Sequence, residues 1–307
     1  MRIGVDLGGT KIEAIALDQQ GEILARQRVA TPVGDYTATL RAMTELVLSL
    51  EKMLGQNGSV GIATPGAIAP DTNRLKNANS VCLNGQPLQA DLQTALQRSV
   101  RLANDADCFA LSEATDGAAA GASVVFGVII GTGAGGGIVI NGQLLRGANA
   151  IAGEWGHNPL PWPKAEELPG PECYCGKQGC IETFLSGPGL TRDYAAVASE
   201  SQDVTQIVAL AEAGNAAAEA SLQRYEQRMA RALAAVINLL DPEVIVLGGG
   251  LSNIERLYQT VPALWGEFVF SAGAGNAPVR TRLVPPKHGD SSGIRGAAWL
   301  WECIQNE

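Results

Sequence analysis

The chain has 307 residues, a net charge of −9 and 46% hydrophobic residues. That length favours two domains over one, and the acidic balance argues against a partner rich in nucleic-acid phosphates. No run of about 18 uninterrupted apolar residues predicts a membrane helix, and Met1-Arg2 leads straight into a strand pattern rather than a signal peptide. A soluble cytoplasmic protein is expected.

Residues 2–29 read as three antiparallel strands by their apolar runs and intervening turns. A helix follows, with Leu40, Met43, Leu46, Val47, Leu50 and Leu54 at helical spacing and Asp35 as its cap. Val60 to Ala63 is a strand that ends in the turn Thr64-Pro65-Gly66. Leu88 to Leu96 is helical and Val100 to Ala103 is strand; a helix runs from Asn104-Asp105 to about Thr115. Gly117 to Ser123 marks the boundary between two lobes, and a new strand pattern begins at Val124. The stretch from Gly147 to Gly189, loaded with Gly, Pro, Trp and Cys, is too long for an idle loop. Helices are expected at about 202–214 and 216–240, a buried strand at Val244 to Leu247, a helix start at Ser252-Asn253 and a last helix from Ser292 to Cys303. The small lobe is residues 1–116, with the helix at 292–307 returning to it. The large lobe is 117–291.

Ile3-Gly4-Val5-Asp6-Leu7-Gly8-Gly9-Thr10 and Phe126-Gly127-Val128-Ile129-Ile130-Gly131-Thr132-Gly133 align without gaps. Each is an apolar strand entering a Gly/Thr turn, followed by a second apolar run, a polar turn and a third strand. A turn of Gly and Thr brings backbone N–H groups and a hydroxyl close to an anion. Two such turns facing each other would hold a polyphosphate between two lobes. Mixed strands and helices fix the class as α/β. The duplication, with a third glycine turn at Gly248-Gly249-Gly250, resembles the actin-like ATPase (ribonuclease H-like) fold.

The candidate chemistry is carried by a few residues, each with a plain structural alternative. Gly131 to Gly136 satisfies G-x-G-x-x-G, but a strand and hairpin turn follow where a dinucleotide site needs a helix. Asp6 is a carboxylate inside an apolar strand, costly without a role; it is either a hydrogen-bonded structural group or an outer ligand of Mg2+. Asp105, at a strand end, is either a helix cap or the base that accepts a hydroxyl proton in phosphoryl transfer. Gly249 and Gly250 form an ordinary strand-to-helix turn or a bed for adenosine. His157, Cys173, Cys175 and Cys180 supply four N/S ligands, the set of a closed tetrahedral zinc site. Reduced thiols in an exposed loop would be open to oxidation, and a catalytic Cys–His pair lacks an orienting third group.

Asp6 to Lys11, Asn104-Asp105-Ala106, Gly131-Thr132-Gly133, Glu154-Trp155-Gly156-His157 and Cys173 to Glu182 occur in that order. Together they resemble the ROK family of bacterial sugar kinases and repressors over essentially the whole chain. Lys76 to Ser80, Leu83 to Pro87, Glu154 to Trp162 and Lys287 to Gly293 are similar to the enterobacterial fructokinase (mannokinase) branch of that family. The resemblance implies an ATP- and Mg2+-dependent kinase that carries zinc and phosphorylates the 6-hydroxyl of a hexose. D-fructose leads, with mannose, glucose and N-acetylglucosamine as the alternatives. It implies that Asp105 is the base and that Asn104 binds neighbouring hydroxyls. Glu154, His157 and Glu182 line the sugar site, with His157 serving both zinc and sugar, and Gly66 and Asn79 touch the sugar from the small lobe. Gly8, Gly9, Thr10 and Lys11, with Gly131, Thr132 and Gly133, hold the phosphates, while Gly249 and Gly250 lie near the adenosine. A homodimer is expected. Asp107 stands where the family usually has Asn, and an extra carboxylate there is expected to disturb Asp105. A non-catalytic sugar sensor is disfavoured by the intact Asp105 and by a chain that begins directly with the first strand, leaving no room for the repressors' DNA-binding segment. A chaperone-like ATPase is disfavoured because it needs a separate peptide-binding domain.

Overall fold

The computed structural model describes residues 1–270 and 278–302. The chain opens with the antiparallel meander β1 (Arg2–Leu7), β2 (Lys11–Leu17) and β3 (Ile23–Ala30). Helix α1 (Tyr36–Leu54) starts where Asp35 accepts a hydrogen bond from Ala38 N at 2.9 Å and stops at Gly55, whose φ of 67° no β-carbon favours. Its apolar stripe buries Met43, Leu46, Val47 and Leu50. Next come β4 (Ser59–Thr64), the short pair β5 (Ala67–Ile68) and β6 (Leu75–Lys76), α2 (Leu88–Leu96), β7 (Val100–Asn104) and α3 (Asp105–Thr115). The strand pattern returns as β8 (Val124–Ile130), β9 (Ala134–Ile140) and β10 (Gln143–Leu144). The remainder is α4 (Ile181–Leu185), α5 (Gly187–Ala198), α6 (Val204–Glu212), α7 (Ala216–Leu240), β11 (Val244–Gly248), α8 (Leu257–Leu264), β12 (Arg282–Val284) and α9 (Ser292–Trp299).

The duplication read from the sequence is a duplication of topology. One sheet has the order β3-β2-β1-β4-β7 and the other β10-β9-β8-β11-β12. In each, the strand that leads into the glycine turn is central, and the strands on its far side run parallel to it: β4 and β7 in one copy, β11 and β12 in the other. Parallel strands align their carboxyl ends, which is where ligands bind in open α/β sheets.

Two compact units result. The first holds Met1–Gly121, Gly137–Gly153 and the chain from Lys287 onward; the second holds Ala122–Gly136 and Glu154–Pro286. The segment 137–153, read from the sequence as large lobe, groups with unit 1. The reason is a close approach: a β-carbon on Gly137 would lie 2.6 Å from the Ala106 carbonyl oxygen of α3, and Lys76 Nζ donates to Asn149 O at 2.9 Å. Helix α9 packs on α3, β1, β2 and β4. That packing needs glycine at the contact, because a β-carbon on Gly61 would sit 1.9 Å from Ala297 O and one on Gly296 would sit 1.6 Å from Cys108 O. Cys303, read as the end of this helix, lies outside the described residues.

The structure departs from the sequence reading elsewhere too, as in the short pair β5–β6 and in α4, which lies inside the stretch read as irregular. Helix α5 begins inside the stretch read as irregular. Ser186 accepts from Gly189 N at 3.2 Å and Pro188 sits in the first turn, so Ser-Gly-Pro opens a helix here rather than a turn. The helix start placed at Ser252-Asn253 is a 3-10 turn over Gly250–Asn253, and α8 begins at Leu257. Strand β12 has only three residues and gives no periodicity to read. Among the described residues, no helix is long and apolar enough to cross a membrane.

Candidate active site

In unit 1 the parallel strands β1, β4 and β7 bring Asp6, Thr64 and Asn104 to one end of the sheet, with Asp6 beside Ala63 and Thr64 beside Asn104. Asn104 closes β7 and caps α3: its Oδ1 accepts from Ala106 N at 2.8 Å, and its Nδ2 donates to Gly66 O at 3.0 Å. Asp105 Oδ1 accepts from the same Ala106 N, also at 2.8 Å. One helix-terminal N–H therefore fixes both side chains, and the sequence alternatives of cap and base fall on neighbouring residues. Although the surface of Asp105 is open, the protein around its carboxyl desolvates the charge and raises its pKa; the bonds from Ala106 and from Asn104 oppose the shift.

Asp107 lies two residues along α3 from Asp105, and residues so spaced point away from each other. Burial, then Ala106 and Asn104, act on the Asp105 carboxyl. It is Asp6 that feels Asp105. Burial, then Asp105 and Glu13, push Asp6 up to about 6, with Lys11 opposing. Its carboxyl is thus protonated in the folded chain over a range where it would be ionised unfolded. Its stability contribution is complete below the ordinary value of 3.8 and is lost as pH rises through about 6. Asp6→Asn is expected to stabilise the ligand-free protein by about 1–3 kcal/mol at pH 8 and by only about a third as much near pH 4.5. Thermal melts of both proteins at the two pH values check this; an equal difference at each would refute it.

The first glycine turn joins β1 to β2. Gly8 N donates to Lys11 O at 3.0 Å, and Thr31 Oγ1 to Gly8 O at 2.8 Å, leaving Gly9, Thr10 and Lys11 exposed. The Lys11 ammonium lies 3.3 Å from Glu13 Oε2, and Arg26 pairs with Oε1 of the same carboxylate. Gly66 has φ 75° and packs so tightly that a β-carbon would meet Lys76 O at 2.2 Å; the structure gives it the work of seating Asn104. Asn79 is exposed on a loop closed by Asn84, which accepts from Ala78 N at 2.9 Å and donates to Ala78 O at 2.8 Å.

In unit 2 the second glycine turn closes with Gly131 N donating to Gly133 O at 2.9 Å, and Thr132 is exposed. Glu182, expected at the sugar, reaches this turn: its Oε2 accepts from Ala134 N at 2.9 Å. The end of β11 lies alongside, Gly248 pairing with Ile129. Gly249 has φ 80°, and a β-carbon there would lie 2.4 Å from Ile130 O, so only glycine fits. Beside the turn opens a cavity of about 660 Å³ lined by Gly187, Pro188, Thr191, Arg192, Asp203 and Val204, within the usual range for small-molecule sites. Gly187 N donates to Gly131 O at 2.7 Å and anchors one rim to the turn. The sequence reading missed this cavity because it missed α5.

Glu154 opens a 3-10 turn over Trp155–His157. The turn is docked on β9 by Trp155 Nε1, which donates to Gly135 O at 2.9 Å, and by Gly156, whose β-carbon would lie 1.9 Å from Ala134 O. The donor atoms of His157, Cys173, Cys175 and Cys180 all lie within 4.8 Å of one another. Cys173 Sγ is 3.6 Å from His157 Nδ1, and Cys175 Sγ is 3.6 Å from Cys180 Sγ. A tetrahedral ion with Zn–S of about 2.3 Å has edges near that length. Burial, then the neighbouring Cys175 and Cys173, push the Cys180 thiol up to about 12, so three thiolates would need a cation. The set fits zinc. The other ring nitrogen of His157, expected to face a sugar, meets the Tyr174 hydroxyl at 3.0 Å, with the rings edge to face. Burial, then Glu182 and Glu154, push Tyr174 up to about 12, which places its hydroxyl in the field of both carboxylates. The sequence reading passed over Tyr174; its place between two metal ligands was the available signal.

Comparison with known proteins agrees with this architecture. The ROK family matches residues 2–304. The N-acetyl-D-glucosamine kinase of Yersinia pseudotuberculosis serotype O:3 (strain YPIII) is 39% identical over 304 residues, 98% of each chain. The ROK hexokinase from Thermus thermophilus superposes with a TM-score of 0.85 at 31% identity, over 97% of each chain. A ROK family glucokinase from Streptomyces griseus, solved in complex with glucose and AMPPNP, gives 0.74 at 27% identity, over 97% of this chain and 98% of that one. The chain belongs to the ROK family and has its actin-like ATPase, sugar-kinase fold.

Proposed function

We propose that the protein transfers the γ-phosphoryl group of ATP to the 6-hydroxyl of a hexose. The observation that carries this is Asp105: an open carboxylate with a raised pKa, at the carboxyl end of a parallel strand and held by a helix-terminal N–H. A base works best when its pKa approaches the operating pH. In this reading Asp105 accepts the hydroxyl proton as that oxygen bonds to the γ-phosphorus and the bond to the β-phosphate oxygen breaks, releasing ADP. Asn104, Gly66, Asn79, Glu154, His157 and Glu182 contact the acceptor. The turns at Gly8 to Lys11 and Gly131 to Gly133 take the phosphates, and Gly249, Gly250 and the neighbouring cavity take the adenosine. Mg2+ would neutralise the phosphate charge, with Asp6 reaching it through water. Zinc on His157, Cys173, Cys175 and Cys180 would fix the loop that carries the acceptor contacts.

N-acetyl-D-glucosamine is the acceptor favoured by the full-length relatives, which bear that activity in their names. This displaces D-fructose, the leading expectation from the sequence. Fructose stays as the second reading on one observation, the run Lys76 to Pro87, which forms the loop closed by Asn84. The other similar run, Lys287 to Gly293, has structural bonds instead: Lys287 N and Ser292 Oγ both donate to Glu113. ADP release measured over N-acetylglucosamine, fructose, mannose and glucose tests both levels. The highest kcat/KM is expected for N-acetylglucosamine. A maximum for fructose transfers the assignment to the second reading, and no ADP release with any hexose removes the kinase reading.

A further inference from the structure

A cavity of about 520 Å³ in unit 1 has no part in the reaction proposed above. One wall is the free edge of β7, at Ser99, Val100, Arg101 and Leu102, the last strand of its sheet. Edge strands leave backbone groups unpaired. Here α2 covers them: Gln89 Nε2 donates to Val100 O at 3.0 Å, and Val100 N donates to Gln93 Oε1 at 3.4 Å. Opposite lie Asn73 and the loop from Arg146 to Ala150.

Two guanidiniums line this cavity, and no carboxylate does. Arg101 stacks over the Trp301 ring at 4.4 Å and donates through Nη1 to Leu300 O at 2.9 Å; the indole in turn donates to Val60 O at 2.8 Å. Arg101 is thus held in place by groups that leave its charge unneutralised. Arg146, on an exposed loop, has neither a hydrogen bond nor an ion pair among the described residues. Other arginines of this acidic chain sit against carboxylates, Arg228 and Arg231 with Glu167, Arg256 with Glu219 and Arg295 with Asp116, whereas Arg41, Arg74, Arg192 and Arg282, like Arg101 and Arg146, have no ion pair among the described residues. Two like charges facing one cavity repel each other unless an anion joins them, and the planar guanidinium matches an oxyanion. The remaining polar lining is Asn73, Gln89, Gln93 and Ser99, neutral donors and acceptors suited to hydroxyls.

We propose that this cavity is a second ligand site, for a small polyol phosphate of the sugar-phosphate class. Arg101 and Arg146 hold the phosphate, and the carboxamides and Ser99 read the hydroxyls. The site is separate from Asp105 and does not depend on which hexose is phosphorylated.

Calorimetric titration of the full chain with glucose 6-phosphate tests it, with excess hexose and a nonhydrolysable ATP analogue present so that the reaction site is filled. One binding event per chain is expected, weakened at least about tenfold in Arg146→Gln and in Arg101→Gln. Arg146 is on an exposed loop, so its variant keeps the fold, and its kcat without glucose 6-phosphate should match wild type. No binding in the filled enzyme, or unchanged binding in Arg146→Gln, overturns the site. Inorganic phosphate binding as tightly as glucose 6-phosphate overturns the assignment to a polyol phosphate.

Discussion

Replacing Asp105 with asparagine is expected to lower kcat by about 10²–10⁴-fold while the KM for the hexose moves by no more than about threefold. The two residues have the same shape, and the amide oxygen of asparagine can keep the bond from Ala106 N. What is lost is the lone pair that takes the proton of the attacking hydroxyl. The same argument fixes a pH signature. Desolvation raises the Asp105 pKa above the ordinary carboxylate value, and a base acts only when ionised. The wild-type rate should therefore fall as pH falls through that raised value, and the residual rate of Asp105→Asn should lack this limb. A variant with more than half the wild-type kcat would take Asp105 out of the mechanism.

Removing the metal is expected to have the second-largest effect. The purified protein should carry about one zinc per chain, and chelation should abolish activity and open the loop around residues 157–180 to proteolysis. Part of the loop is anchored without the ion, Glu167 pairing with Arg228 and Arg231 and Leu160 N donating to Gly179 O at 2.9 Å, so the effect should centre on residues 171–180. Cys173 N donates to Lys177 O and Gly176 N to Cys173 O, but the three sulfurs and the imidazole sit within 4.8 Å, too close for free thiolates. Glu154 opens the turn that carries His157, and Glu182 follows Cys180 by two residues. Loss of the ion thus disorders both ends of the proposed acceptor contacts. Metal analysis that finds no zinc, or full activity after chelation, would contradict this.

Much of the architecture was legible because local signals were strong. The meander β1–β3 is written in apolar runs broken by glycine turns, and α1 in a cap plus a helical stripe. Asp105 could be placed at a strand end without any structure. Other features depend on partners far away in sequence. Nothing local says that Gly61 and Gly296 are needed to let α9 approach the sheet and α3, or that Gly137 must approach α3. Helix α5 was hidden because glycine and proline read as a turn until Ser186 is seen capping them. Residue types also under-determined roles. Gly66, expected at the sugar, also seats Asn104 through its carbonyl oxygen. The imidazole of His157, expected to serve zinc and sugar, also meets the Tyr174 hydroxyl through its second nitrogen.

The bond between Glu182 and Ala134 N also bears on how mutant data should be read. Oε2 of this carboxylate is committed to the backbone at the second glycine turn, and the same residue sits two positions after Cys180. An alanine at 182 would therefore leave Ala134 N without its acceptor, and it would loosen the glycine turn proposed for the phosphates as well as any acceptor contact. Apparent affinities for both substrates would shift together, and such covariation would report this shared scaffolding in addition to any direct contact. In the proposed reading only the remaining oxygen, Oε1, is free to meet the acceptor, so selectivity should be sought at Asn79 rather than at Glu182.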